Sequence, residues 1–479
     1  MWKCFFAKRQ RSAEKLRKID RRRSVLNRIR ISPIQFIPLS FLLTILAGAI
    51  LLMLPFSSAP GENTGFTTAL FTATTSVCVT GLVVEDTFSH WSLFGQAIIL
   101  LLIQIGGLGV VSVGAVIAHA GARKISLGEQ KLIGDSLNVD GNRSLMSFLF
   151  RIFCGVFIVE GIGAALYAVE LVPKLGAEKA LWASLFQSVS AFCNAGMDVI
   201  GPDSMIGFRN SPLMMGVTMA LIILGGLGFV VWFDVISKVG QGIKRRLGPV
   251  ATFRRLSEHT KVVLVMTAFL LAFGTLGVFV SEYHNPGTIG EMSLAEKLGN
   301  SLFQSVTYRT AGFASLPQDQ LTETTCIMGY VLMFIGGSPV GTAGGVKTVT
   351  IFLVLMNALS YIKGKKETVV FHRRVSEEMM RKASAVVLVS VGTVFLMTLL
   401  LMSRGGIALT DALYEVTSAL GTVGLSRNLT PHLDEVGRYV IIFSMYLGRI
   451  GPISMALLFA KKSGAENKIQ HADGKFYVG

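Results

Sequence analysis

Four glycines, Gly81, Gly196, Gly312 and Gly424, recur at separations of 115, 116 and 112 residues, and each closes a segment of the same character. The segments read FTTALFTATTSVCVTGL (66–82), KALWASLFQSVSAFCNAGM (179–197), AEKLGNSLFQSVTYRTAGF (295–313) and LTDALYEVTSALGTVGL (409–425). Each opens with an amphipathic run too short to cross a bilayer, passes through small and polar residues, and ends at its glycine. The chemistry open to such a segment is coordination. A short helix followed by an extended glycine strand turns backbone carbonyls toward an axis, and rings of carbonyls replace the hydration shell of a cation. Glycine tolerates positive φ there and brings no side chain into a crowded axis. The partially negative C-terminal ends of four short helices favour a cation near their common centre.

A second landmark keeps step. Between 24 and 29 residues after each glycine comes GGLG at Gly106, GGLG at Gly225, GGSP at Gly336 and GRIG at Gly448. Two landmarks in register four times predict four repeats, each a span, a re-entrant helix, an extended strand and a second span. Helix packing through small residues explains the GGLG motifs equally well, but not the outer segments.

In this register Arg449 fills the slot held by Gly107, Gly226 and Gly337. Its charge must point into free volume, either onto the pore axis or into an interhelical pair, with Asp234 for example. The run GGSPVGTAGGVK (336–347) has five glycines, a proline and the polar Ser338, Thr342 and Lys347, which oppose an uninterrupted helix. Either the helix is interrupted there or it is only kinked. Arg309 is a further base at membrane depth, Arg151 is expected to snorkel, and Glu160 is either buried and protonated or facing lipid.

The elements that must position these residues are membrane spans. Of 479 residues, 51% are hydrophobic and only 15% charged, with a mean hydropathy of +0.58; soluble chains carry about 25% charged residues. Apolar stretches at 33–54, 92–119, 147–171, 212–237, 262–281, 326–360, 383–402 and 436–460 predict eight spans. The expected organisation is a basic tail (1–32), repeat one (33–119), repeat two with its preceding loop (120–238), repeat three with segment 336–347 (239–362), and repeat four with a C-terminal tail (363–479). The odd number of cysteines, Cys4, Cys78, Cys154, Cys193 and Cys326, suits small buried side chains better than disulfides.

Charge orients the spans. Segments 1–32, 120–143, 238–261, 361–382 and the tail from Lys461 hold 34 of the 45 Lys and Arg, and the opposite side holds seven. The positive-inside rule makes the first side cytoplasmic, with both termini inside. The outer side carries sixteen of the 29 acids, including Glu85, Asp86, Asp198, Asp203, Asp434 and Glu435, and so attracts cations. The tail's Arg21, Arg22 and Arg23 suit anionic lipid and membrane orientation rather than nucleic acid, and the apolar run after them is too long for a signal peptide.

At the four glycine segments the sequence resembles the superfamily of Trk, Ktr and HKT potassium transporters, within it the membrane subunits of bacterial Ktr systems. VTGL (79–82), AFCNAGM (191–197), YRTAGF (308–313) and GTVGL (421–425) match the four filter signatures in order. LIQIGGLG (102–109), GKKETVVFHRR (364–374) and GRIGP (448–452) match as well. The likeness runs from about Pro33 to the C-terminus. It implies an all-α polytopic membrane protein of eight transmembrane helices, four helix–pore loop–helix repeats around a central pore. It implies a selectivity filter in which Gly81, Gly196, Gly312 and Gly424 are joined by the carbonyls of Val79, Thr80, Asn194, Ala195, Thr310, Ala311, Thr422 and Val423. It also implies a gate below the filter. Gly336, Gly337, Ser338, Thr342, Gly344, Gly345 and Lys347 would form its loop, and Arg449 an electrostatic barrier. Cys193, Met197 and Tyr308 depart from the family pattern, and the third pore helix is one residue short between Phe303 and Gly312.

The same likeness implies potassium as the transported ion, potassium uptake at the plasma membrane, and stimulation by sodium. It further implies a homodimer docked on a ring of cytosolic RCK regulatory subunits of the KtrA type, with ATP or ADP bound on that partner. The chain has no Walker motif or GxGxxG of its own, so no cofactor is expected in it. Two other readings are weighed. A coupled sodium–potassium symporter would share the fold. A membrane enzyme would need a catalytic cluster, yet the histidines, His90, His119, His284 and His432 among them, are scattered.

Overall fold

The computed structural model describes residues 33–110, 112–114 and 145–451. The basic tail 1–32, the loop expected at 120–143 and the tail from Lys461 lie outside the described residues.

Repeat one comprises α1 (Pro33–Leu52), α2 (Phe66–Cys78) and α3 (Leu93–Leu108). Repeat two has α4 (Leu145–Leu175), α5 (Ala177–Cys193), α6 (Pro212–Leu227) and α7 (Phe229–Lys244), after which α8 (Pro249–Arg254) leads to the next repeat. Repeat three has α9 (Glu258–Glu282), α10 (Leu294–Thr307), α11 (Glu323–Phe334) and α12 (Thr348–Ile362). Repeat four has α13 (Glu377–Met402), α14 (Leu409–Gly421) and α15 (Glu435–Ile450). Two short antiparallel strands, Val369–Val370 and Arg373–Arg374, tie the loop between α12 and α13.

The first helix of every repeat is long, apolar and continuous. These helices turn large apolar side chains outward, Leu43, Ile158, Val280 and Leu388 among them. That is stable where the surrounding solvent is hydrocarbon, because burial inside the protein is then not required for apolar groups.

In repeat three the second span is interrupted at the glycine-rich run, as its composition predicts, whereas in repeats one, two and four the helix stops where a continuous span is expected. α3 stops at Leu108 and is followed by Gly109 at φ +86°. α6 and α7 meet at Gly228, φ +89°, with a bend of 98°. α11 and α12 are separated by residues 335–347, and α15 stops before Gly451, φ +92°. A residue in the left-handed region ends the helical hydrogen-bond ladder, and glycine takes that conformation without a Cβ clash.

The four short helices α2, α5, α10 and α14 form the centre. Each second-span helix packs on the short helix of the following repeat: α3 on α5, α6 on α10, α11 on α14, and α15 back on α2. Four such contacts close a ring, which brings the ends of four segments far apart in the chain to one axis.

Candidate functional site

The short helices end differently from ordinary helices. α2, α5 and α14 terminate at Val79 (φ +55°), Asn194 (φ +61°) and Thr422 (φ +51°), and Thr310 (φ +71°) stands at the matching place after α10. Each lies two residues before its glycine, whose own φ is also positive. Val and Thr are β-branched and pay for this conformation, so the surrounding contacts must impose it. This repeating left-handed residue was not anticipated from sequence.

The amides of the strand are drawn back to the helix. Thr80, Ala195 and Val423 each donate to the carbonyl five residues earlier, at 2.8 Å. Gly81 N–H donates to Thr75 Oγ1 at 2.9 Å, and Gly424 N–H to Ser418 Oγ at 3.0 Å. In repeats two and three the matching hydroxyls instead donate to the carbonyl just past the glycine: Ser190 to Met197, and Thr307 to Phe313 at 2.7 Å. The hydroxyl lies six residues before the glycine in repeats one, two and four, a spacing visible in the sequence but not singled out. In repeat three it lies five before. The missing residue there is absorbed by a tighter final turn, Ala311 N–H donating to Thr307 O at 3.0 Å.

With the amides committed, the carbonyls face the neighbouring repeats. A Cβ on Gly81 would lie 2.5 Å from Ala195 O, one on Gly196 2.6 Å from Ala311 O, and one on Gly312 2.5 Å from Val423 O. A Cβ on Gly424 would overlap Thr80 O. Each glycine thus abuts the carbonyl preceding the next repeat's glycine, and the circuit closes from repeat four to repeat one. Among the described residues none of these four carbonyls accepts a hydrogen bond. Four unpaired carbonyls in a closed ring can ligate a dehydrated cation.

The lower glycine motifs serve close packing, as the helix-packing reading held. A Cβ at Gly106, Gly225 or Gly448 would overlap the carbonyl of Val77, Phe192 or Leu420, each four residues before its repeat's ring glycine. Repeat three breaks this rule, because Gly336 packs on Gly344 within its own loop.

That loop, 335–347, runs beneath the ring and is bonded on several sides. Ser338 and Thr342 donate their amides to Gly226 O (2.9 Å) and Gly225 O (3.1 Å), and Phe229 donates to Val340 O (2.9 Å). Thr342 Oγ1 donates to Phe192 O at 3.1 Å, and Gly344 and Gly345 abut Thr422 and Gly421. Lys347 Nζ donates to Ala343 O at 2.7 Å, tying the loop to itself; Gly337 packs against Ala343.

Arg449 donates through Nη1 to Thr342 O at 2.6 Å and through Nη2 to Gly106 O. The alternative pair with Asp234 does not form: Arg449 is committed to Thr342 and Gly106, and Asp234 accepts from Ser257 N–H at 2.9 Å. Arg449 and Lys347 line a cavity of about 980 Å³ below the ring, together with Phe41, Val394 and His259.

The remaining bases and acids fall outside the ring. Arg309 is buried behind it, with no partner for Nε among the described residues. Glu160 is buried rather than facing lipid, and accepts from Gln104 Nε2 at 3.2 Å beside Cys193. Arg151 bonds Ser147 O on its own helix and stacks over Phe233.

Comparison with known proteins gives a consistent result. Residues 30–470 match the family model for TrkH, described as a cation transport protein. The chain is 38% identical over 455 residues to the Ktr system potassium uptake protein B of Bacillus subtilis, covering 95% of this chain and 98% of that protein. It is 35% identical over 457 residues to the potassium/sodium uptake protein NtpJ of Enterococcus hirae, covering 94% and 98%. The crystal structure of the potassium transporter TrkH from Vibrio parahaemolyticus superposes with a TM-score of 0.69 at 17% identity, covering 88% of this chain and 84% of that one.

Proposed function

Because the chain belongs to the TrkH family of cation transport proteins, and is therefore a multi-pass transporter rather than an enzyme, we propose that it takes up potassium through a four-repeat selectivity filter. The closed ring of unpaired carbonyls at Thr80, Ala195, Ala311 and Val423 carries this reading. The driving force is the membrane potential, about 2.3 kcal/mol per charge for each 100 mV. The protein sits in the plasma membrane with both termini in the cytoplasm.

The loop 335–347 is the gate in this reading, and Arg449 is its latch and barrier. It holds Thr342 O in place, and its charge opposes a cation leaving the filter. A homodimer on a cytosolic RCK ring, with ATP or ADP bound there, would control the latch; the likeness to a Ktr uptake subunit supports such a partner. The likeness to a potassium/sodium uptake protein keeps a second reading, sodium–potassium symport by the same fold.

Flux into liposomes tests both readings, with potassium or sodium as sole permeant cation and Gly312→Ser in parallel. Potassium flux far above sodium, with weaker discrimination in the variant, is the expected result. Potassium flux that requires sodium in fixed ratio would establish symport. No flux with the cytosolic partner present would overturn the filter reading.

A further inference from the structure

The helix α7 leaves the pore at an angle and ends in an unusual surface. It turns 98° from α6 at Gly228. Its first turn is buried, at Phe229 and Val231, but Ile236, Val239 and Ile243 are exposed along one face. In the adjoining α8, Val250 and Phe253 are exposed too. Beside these apolar residues stand Lys244, Arg245, Arg246, Arg254 and Arg255, all exposed. Among the described residues, none of these five side chains makes an ion pair or hydrogen bond.

We propose that this α7–α8 corner is a docking surface for anionic phospholipid. Ile236, Val239 and Ile243 would enter the acyl region while the five bases reach headgroup phosphates. Long basic side chains next to an apolar face suit that boundary. The excess of Lys and Arg assigns the segment to the cytoplasmic side, where the leaflet is negatively charged. An acidic protein surface would match the bases but leave the apolar face in water. A second copy of the chain would cover the apolar face but oppose like charges.

The first residue of α7 is bonded to the loop beneath the ring, through Phe229 N–H to Val340 O at 2.9 Å, and the end of α6 just before it through Ser338 N–H to Gly226 O, also at 2.9 Å. Lipid held at the corner therefore fixes the helix on which that loop rests.

The test is retention of phosphatidylglycerol against phosphatidylcholine by the intact protein from mixed bilayers, counted by native mass spectrometry. It compares Arg245→Gln/Arg246→Gln/Arg254→Gln with a control, Lys363→Gln/Lys365→Gln/Lys366→Gln. All six side chains are exposed, so neither variant disturbs the core. Each charge removed at the site is expected to weaken the preference about fivefold, and the control is expected to retain it. An equal loss in both variants, or no preference in the unaltered protein, overturns the proposal. So does protection of Ile243 by a second copy or by the cytosolic ring in crosslinking. Binding is read without transport, so its failure is separable from failure of the potassium reading.

Discussion

The guanidinium of Arg449 donates to the carbonyl of Thr342 at 2.6 Å, joining the end of repeat four to the loop in repeat three. The second arm of the same side chain reaches Gly106 O in repeat one. One residue therefore links three repeats just below the carbonyl ring.

Removing that link should free the loop. A hydrogen bond to a charged group contributes about 2 kcal/mol, so Arg449→Gln should raise potassium flux without the cytosolic partner by roughly thirtyfold. Arg449→Lys, which keeps the charge but only one arm, should give an intermediate rise. Flux unchanged in both variants would remove Arg449 from the gate.

The ring has no space for a side chain at its glycines. Gly81→Ala would place a methyl 2.5 Å from Ala195 O and 3.1 Å from Gly196 Cα, on a residue at φ +101°. Potassium flux should fall at least about tenfold, with lower discrimination against sodium. Gly161→Ala, which meets nothing within 4 Å, should leave both unchanged.

On the outer side, Arg427 fastens repeat four to repeat three. It bonds Asp411 at 2.8 Å, Gln318 O at 3.1 Å and Cys326 Sγ at 3.0 Å. Arg427→Ala should lower stability by about 2 kcal/mol, read as a reduced midpoint of thermal unfolding in detergent. Arg427→Lys should recover only part, because an ammonium cannot span three acceptors held in a fork.

Asp198, two residues beyond Gly196 of the carbonyl ring, supplies a pH dependence. Burial pushes its carboxyl up to about 7; the Ser204 hydroxyl opposes the rise and the nearby charge of Asp86 adds to it. The folded protein therefore prefers the protonated form. Its contribution to stability is full below the ordinary carboxylate range near 4 and is lost as pH rises toward 7. Asp198→Asn should unfold at the same temperature as the unaltered protein at pH 4 and at a higher one at pH 8. Equal midpoints at pH 8 would show that Asp198 titrates in its ordinary range.

Much of this architecture could be read in the sequence because it depends on local chemistry. Apolar runs locate α1, α4, α9 and α13, since crossing hydrocarbon is a demand each segment meets alone. The register of Gly81, Gly196, Gly312 and Gly424, and the interruption at 336–347, follow from residue type and spacing. Only the tertiary structure decided the rest. Among the described residues, four of the eight expected spans are continuous helices, and in the second spans of repeats one, two and four the helix stops at a glycine of positive φ that the sequence alone leaves free to remain helical. The left-handed conformations of Val79, Thr310 and Thr422 run against what β-branched residues favour, so residue type at those positions does not announce them. Arg449 could be placed in a glycine slot by alignment, but its choice of Thr342 and Gly106 over Asp234 depends on acceptors 107 and 343 residues away in the chain, which meet only when the four repeats close.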